Sequence, residues 1–104
     1  MSAIHLIKKD KPNLPEITPV KEMGDGIFSS GNWYLSMRTA RELINGRIYF
    51  HKTQTGPSFE GGTIIKVEPS KSPKRIVFYF RHDEECIRFF TPREGWSVEM
   101  KLVP

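Results

Sequence analysis

The sequence predicts a mostly β, α+β chain: a small antiparallel pseudo-barrel with one principal helix. Three observations predict it. The segments Arg47–Lys52, Gly62–Glu68 and Arg75–Arg81 alternate apolar and polar residues with a period of two, the repeat of a strand that buries one face. One stretch, Met37–Ile44, repeats at helical spacing instead. Runs containing Gly, Pro, Asn and Asp separate these segments and supply the turns.

In chain order, Met1–Lys9 alternates weakly and reads as a strand or as an arm that docks late. Asp10–Pro19 contains Pro12, Pro15 and Pro19. Each proline lacks a donor and fixes its own backbone angle, so regular structure is not expected there. Met23-Gly24-Asp25-Gly26 is a turn signal ahead of a short strand near Ile27–Ser29, and Asn32–Leu35 fits another.

Ser36 sits where its hydroxyl can cap the first turn of a helix. Met37, Ala40, Leu43 and Ile44 make the buried stripe of that helix. Arg38, Arg41, Glu42 and Asn45 make its outer face, and Asn45-Gly46 ends it. A helix this short needs a sheet to pack on. The strand Arg47–Lys52 then places Ile48 and Phe50 on one face and Arg47, Tyr49 and His51 on the other.

Thr53–Gly61 is a polar loop around Gly56-Pro57. Gly62–Glu68 sets Thr63, Ile65 and Val67 against Ile64, Lys66 and Glu68. Arg75–Arg81 sets Ile76, Phe78 and Phe80 against Val77 and Tyr79. Cys86–Phe90 and Trp96–Leu102 complete five strands, the last with Trp96, Val98, Met100 and Leu102 on one face. Ile48, Phe50, Phe78, Phe80, Val98 and Met100 are the expected core.

At 104 residues the chain is sized for one domain, with residues 1–19 as a proline-rich arm and 20–104 as the barrel. The single cysteine, Cys86, excludes an internal disulfide framework and suits a reducing compartment. The first residues lack the apolar run of a signal peptide, and no window approaches the ~18 apolar residues of a membrane helix. The expectation is a cytoplasmic protein without a membrane partner. The net charge of +4 is spread over both halves and is compatible with an anionic partner.

Trp33-Tyr34-Leu35-Ser36, Ala40–Gly46, Arg47-Ile48-Tyr49-Phe50-His51 and Gly61-Gly62-Thr63-Ile64-Ile65-Lys66-Val67 follow one another in an order of element types that resembles the PUA-like superfamily, with its ASCH, EVE and YTH groups. The likeness covers roughly half the chain. It implies a pseudo-barrel that binds RNA, or modified bases in RNA or DNA. The lysine, threonine and glutamate set of the ASCH amidohydrolases has no match here, so that activity is not implied.

Several residues are candidates for a nucleic-acid site. Trp33, Tyr34 and Phe59 offer rings on which bases can stack, although a tryptophan on a short strand is more often core. Arg38, Arg41, Arg47, Lys52, Lys74, Arg75 and Arg81 could hold phosphates or could form a solvated surface, with Arg38 and Arg41 the sharpest pair. His51, Lys52, Thr53, Gln54 and Thr55 line the mouth of the long loop and carry groups able to read a base edge.

The run His82–Cys86 offers metal-ligand types, but one turn rarely converges three ligands. Acidic neighbours should raise the thiol pKa of Cys86 and leave it a poor nucleophile. No P-loop, dinucleotide fingerprint or nucleophile elbow is present, so neither a cofactor nor a metal is expected. The functional expectation is a nucleic-acid-binding module, RNA or DNA. The alternative is a small protein-interaction or regulatory module, and the third reading is a hydrolase acting on a modified nucleoside.

Overall fold

A computed structural model describes residues 2–8, 17–97 and 99–104. Its strands are β1 (Ala3–Ile7), β2 (Ile17–Pro19), β3 (Ile27–Tyr34), β4 (Arg47–His51), β5 (Ser58–Pro69), β6 (Arg75–His82) and β7 (Met100–Val103), with the helix α1 (Met37–Glu42) between β3 and β4. They form one sheet in the order β2-β3-β6-β5-β4-β1-β7. The fold is mostly β, with a single α-helix among the described residues. Its pairings are antiparallel except β1 with β4, which run parallel with Ile4 beside Ile48 and Leu6 beside Phe50.

The sheet curls around its inner face. Trp33 of β3, near one end of the strand order, shares one apolar cluster with Ile4 and Leu6 of β1, near the other end. Ile48, Phe50, Ile64, Ile76, Phe78 and Phe80 fill the space between, and Ala40 and Leu43 close it from the helix side. Burying each large apolar side chain there stabilises the fold by about 1.5–3 kcal/mol.

The helix forms as its signals predict. The Ser36 hydroxyl accepts the Thr39 amide at 3.2 Å. Ala40 and Leu43 are buried, and Met37 and Ile44 pack against the core. Asn45 takes a left-handed backbone (φ 71°) and turns the chain into β4. Gly46 must lack a side chain because a Cβ would lie 2.2 Å from the Ser2 carbonyl oxygen of β1's approach.

Five expectations need correction or restriction. Part of the proline segment is ordered, since Ile17–Pro19 pairs with β3 as an edge strand, where a missing donor costs nothing to the ladder. Positions 10–16 of that segment lie outside the described residues, as does Val98. The simple alternation in β5 fails at Ile65. A bulge between Ile64 and Lys66 leaves Ile64 and Val67 facing inward, while Thr63, Lys66 and Glu68 face outward.

Cys86–Phe90 is not a strand. A 3-10 turn, Glu84–Cys86, leads into Arg88, whose φ of 62° breaks any ladder. The final strand is shorter than Trp96–Leu102, and its phase differs from the expected one. Leu102 is exposed, Met100 is half-buried, and Lys101 is buried with its ammonium donating to the Pro92 carbonyl at 2.5 Å.

The irregular run from Cys86 to Trp96 explains that phase. It lies against the other face of β4 and β1, so those two strands are buried on both sides, and it also covers Lys101 of β7. Tyr49, His5 and Lys101 point into this second layer. By contrast, the outer face of β3, β6 and β5 carries exposed Tyr34, Arg75, Lys66 and Arg81.

Candidate functional site

The curled sheet separates the candidate site residues of the sequence into five places. Trp33 is core. It is 6% exposed, its ring packs near Phe50, and its indole N–H donates to the Ser30 hydroxyl at 3.0 Å. It offers no stacking face; its neighbour Tyr34, pointing the other way along an alternating strand, is 62% exposed.

His51 is also removed from the surface. It is fully buried, and the loop mouth closes over it. Its Nδ1 faces the Gly56 carbonyl at 3.0 Å, and its Nε2 faces Nδ1 of His5 at 2.8 Å. The carbonyl can only accept, so His51 carries its proton on Nδ1. Its Nε2 therefore accepts the Nδ1–H of His5. Burial pushes both imidazoles below the usual histidine range; His5, with His51 and Lys101 adding to the effect, reaches about 4.

His5 stacks on Tyr49 at 4.5 Å and 10°, with Phe89 and the edge of Trp96 completing an aromatic enclosure. The Trp96 indole N–H is buried there with no partner among the described residues.

Lys52, Thr53 and Phe59 remain together. They line a cleft of about 500 Å³ with Pro57, Ile87 and Arg88. The loop itself is shorter than expected, because β5 begins at Ser58 and takes Phe59 into the strand, where it packs partly against the core. Gln54 lies within this loop and is half-buried. Arg38 and Arg41 are exposed on α1. The strand β4 runs from the end of the helix to this loop, roughly 16 Å at ~3.3 Å per residue, so the helix face and the loop are not one surface.

Lys74 and Arg75 join Tyr34, a weaker candidate than Phe59 by sequence alone. The Arg75 guanidinium stands 5.1 Å from the centre of the Tyr34 ring. Two clefts meet at this pair. One, of about 460 Å³, adds Ser36, Met37, Pro69 and Lys74; the other, of about 370 Å³, adds Asn32, Ser97 and Glu99. Four positions along β6, Tyr79 lies on the same outer face. Lys66 stands 5.4 Å from its ring centre, and its hydroxyl donates to Glu68 at 2.9 Å. Lys66 and Glu68 are themselves paired at 2.6 Å.

The signal for this face is present in the alternation of Arg75, Val77, Tyr79 and Arg81 opposite the apolar Ile76, Phe78 and Phe80. Its link to Tyr34 depends on the β3–β6 pairing, which places Tyr34 directly across from Arg75.

The run His82–Cys86 does not converge. His82 pairs with Glu60 at 2.5 Å, and Asp83 accepts from Arg47 at 2.6 Å. Cys86 is buried beneath Arg47. Burial is the first cause that raises its thiol pKa, ahead of the acidic neighbours the sequence suggested. Among the described residues, no helix is long and apolar enough to cross a membrane. Compared with known proteins, the chain matches no family model, no curated sequence and no solved structure.

Proposed function

We propose that the chain is a nucleic-acid-binding module and that its contact surface is the outer face of β3, β6 and β5, with Tyr34 and Arg75 at its centre. The observation that carries this reading is the charge of that face. Lys66, Arg75 and Arg81 project from it, Lys74 stands in the turn beside Arg75, and the one carboxylate among the paired outward positions, Glu68, is already neutralised by Lys66. Lys74, Arg75 and Arg81 have no carboxylate partner among the described residues. A row of such cations on a rigid sheet suits a phosphate backbone, which supplies most of the affinity of sequence-independent binding. The PUA-like resemblance points to the same ligand class.

This reading moves the site away from the helix and the long loop. Arg38 and Arg41, exposed on the helix, and Lys52, Gln54 and Phe59 of the loop side fall outside it.

Titration with short RNA and DNA, followed by amide chemical shifts, tests the proposal. Binding should perturb Tyr34, Lys66, Lys74, Arg75 and Arg81 and weaken as salt rises. Reversing both Lys74 and Arg75 to Glu should reduce the salt slope by about 2, since each cation that holds a phosphate adds roughly one to it. Absence of binding at low salt, or shifts confined to the Cys86–Trp96 side, would overturn it in favour of a protein-interaction module.

A further inference from the structure

We infer that the nucleic acid taken by the outer face is single-stranded, with unpaired bases stacking on Tyr34 and Tyr79. This rests on the nucleic-acid reading above and adds the class of ligand. The charge of the face alone would serve a duplex equally well; the two tyrosines would not. In a duplex each base has its faces covered by its neighbours, and an exposed ring outside the helix meets only backbone. Duplex readers instead insert an element into a groove. The broad outer face of a sheet has no such projection, and α1 has only six residues.

Tyr34 is the open ring of the two, and Tyr79 is half-buried on the same face. Each has a cation near it, Arg75 at 5.1 Å from the Tyr34 centre and Lys66 at 5.4 Å from the Tyr79 centre. A cation within ~6 Å covers one face of a ring and leaves the opposite face for a second partner. Tyr34 is 62% exposed, so that second face is accessible. The Tyr79 hydroxyl bond to Glu68 fixes the angle of the other ring before any ligand arrives, which lowers the ordering cost of binding.

The spacing narrows the ligand further. Tyr34 lies across from Arg75, and Tyr79 stands four positions further along β6. That separation is roughly 13 Å at ~3.3 Å per residue. Stacked bases are only ~3.4 Å apart, so bases on the two rings cannot be neighbours in one continuous stack. The strand must open between them, with at least one nucleotide spanning the gap over Val77. Only an unpaired chain can do this without breaking base pairs.

The test uses the full chain and a labelled oligonucleotide, offered as a single strand and as the same strand annealed to its complement. Anisotropy at low salt should give an affinity for the single strand about tenfold or more above that for the duplex. Tyr34→Ala and Tyr79→Ala should each weaken single-strand binding by roughly 5- to 150-fold, the range expected when one base loses its stacking partner, with the salt slope unchanged.

Tyr34→Phe keeps the ring and should keep the affinity. Abasic substitution along the shortest strand that binds should reveal two sensitive positions with a tolerant one between them. Thermal melting of each variant confirms that it is folded. Equal affinity for duplex and single strand, or alanine variants that bind as well as the parent, would overturn the inference while leaving the charge-based reading in place. Absence of binding to either form removes both.

Discussion

His5 and His51 share a hydrogen bond in which one imidazole donates and the other accepts, so a second proton at that contact has no acceptor. The pH response follows from this. An unfolded histidine titrates near 6.5, and His5 in the fold near 4. Between those values the unfolded chain binds the extra proton and the folded chain does not, so stability is full above about pH 6.5 and falls as pH drops towards 4. The loss should be on the order of 3 kcal/mol at 1.36 kcal/mol per pH unit, with His51 adding in the same direction.

Urea unfolding at a series of pH values measures it, and a flat profile across that window would show that the pair is not buried neutral. Trp33 gives a second prediction. Trp33→Ala should destabilise the fold by about 3–5 kcal/mol, the cost of a large core truncation, as read from thermal or denaturant unfolding. By sequence this ring is a candidate stacking platform, because hydropathy does not say which way a side chain on a short strand points. The β3–β6 register decides it, setting Trp33 against Ile76 and leaving Tyr34 outside.

The elements easiest to read in the sequence are those with one buried face. β6 alternates cleanly because Ile76, Phe78 and Phe80 are inside and Arg75, Tyr79 and Arg81 are not. The start of α1 is legible from Ser36, while its end at Glu42 comes two residues before the expected Ile44, and Ser36→Ala should cost about 1 kcal/mol through loss of the cap, measurable by the same unfolding experiments. β1 is ambiguous for a physical reason. Ile4, His5 and Leu6 are all buried, because the apolar core lies on one side and the aromatic enclosure on the other, so no polar face marks the strand.

The covering run Cys86–Trp96 reads in part as a strand because its apolar residues satisfy the composition of one. The left-handed Arg88 and the tertiary bonds to Ser58 that redirect it leave no periodic trace. Gly61 allows that cover to close. A Cβ there would stand 2.7 Å from the Cys86 Cβ and 2.4 Å from the Ile48 carbonyl. Gly61→Ala should therefore destabilise by about 1–3 kcal/mol or more, as overpacking does, and should loosen the amides of residues 86–90 in hydrogen exchange.

Across the whole molecule, the two sides of the sheet do different work. The β4-β1 side is sealed twice, and the polar groups there and on neighbouring β7, His5, His51 and Lys101, are tied to partners within the fold. The β3-β6-β5 side is sealed once and faces outward with its cations and tyrosines. The sequence contains every residue of that second surface, but in three separated stretches, and only the strand order assembles them.

That same order puts β7 beside β1, with Ala3 opposite Val103 in antiparallel register. The first and last strands of the chain are thus adjacent arms of what would be a hairpin if a turn joined them. During synthesis β1 emerges first and waits for both of its partners, β4 and then β7. The pairing of β1 with β7 joins strands from opposite ends of the described residues, a non-local pairing of the kind that slows folding. The covalent order of the chain is, for the same reason, replaceable. A short glycine-rich link from Pro104 to Ser2, with new ends opened in the exposed Lys71–Lys74 turn, should fold to the same sheet. The cut parts β5 from β6, which pair over seven positions, while the link makes local only the four-position pairing of β1 with β7, so the permuted chain should reach the native state more slowly than the parent in stopped-flow refolding.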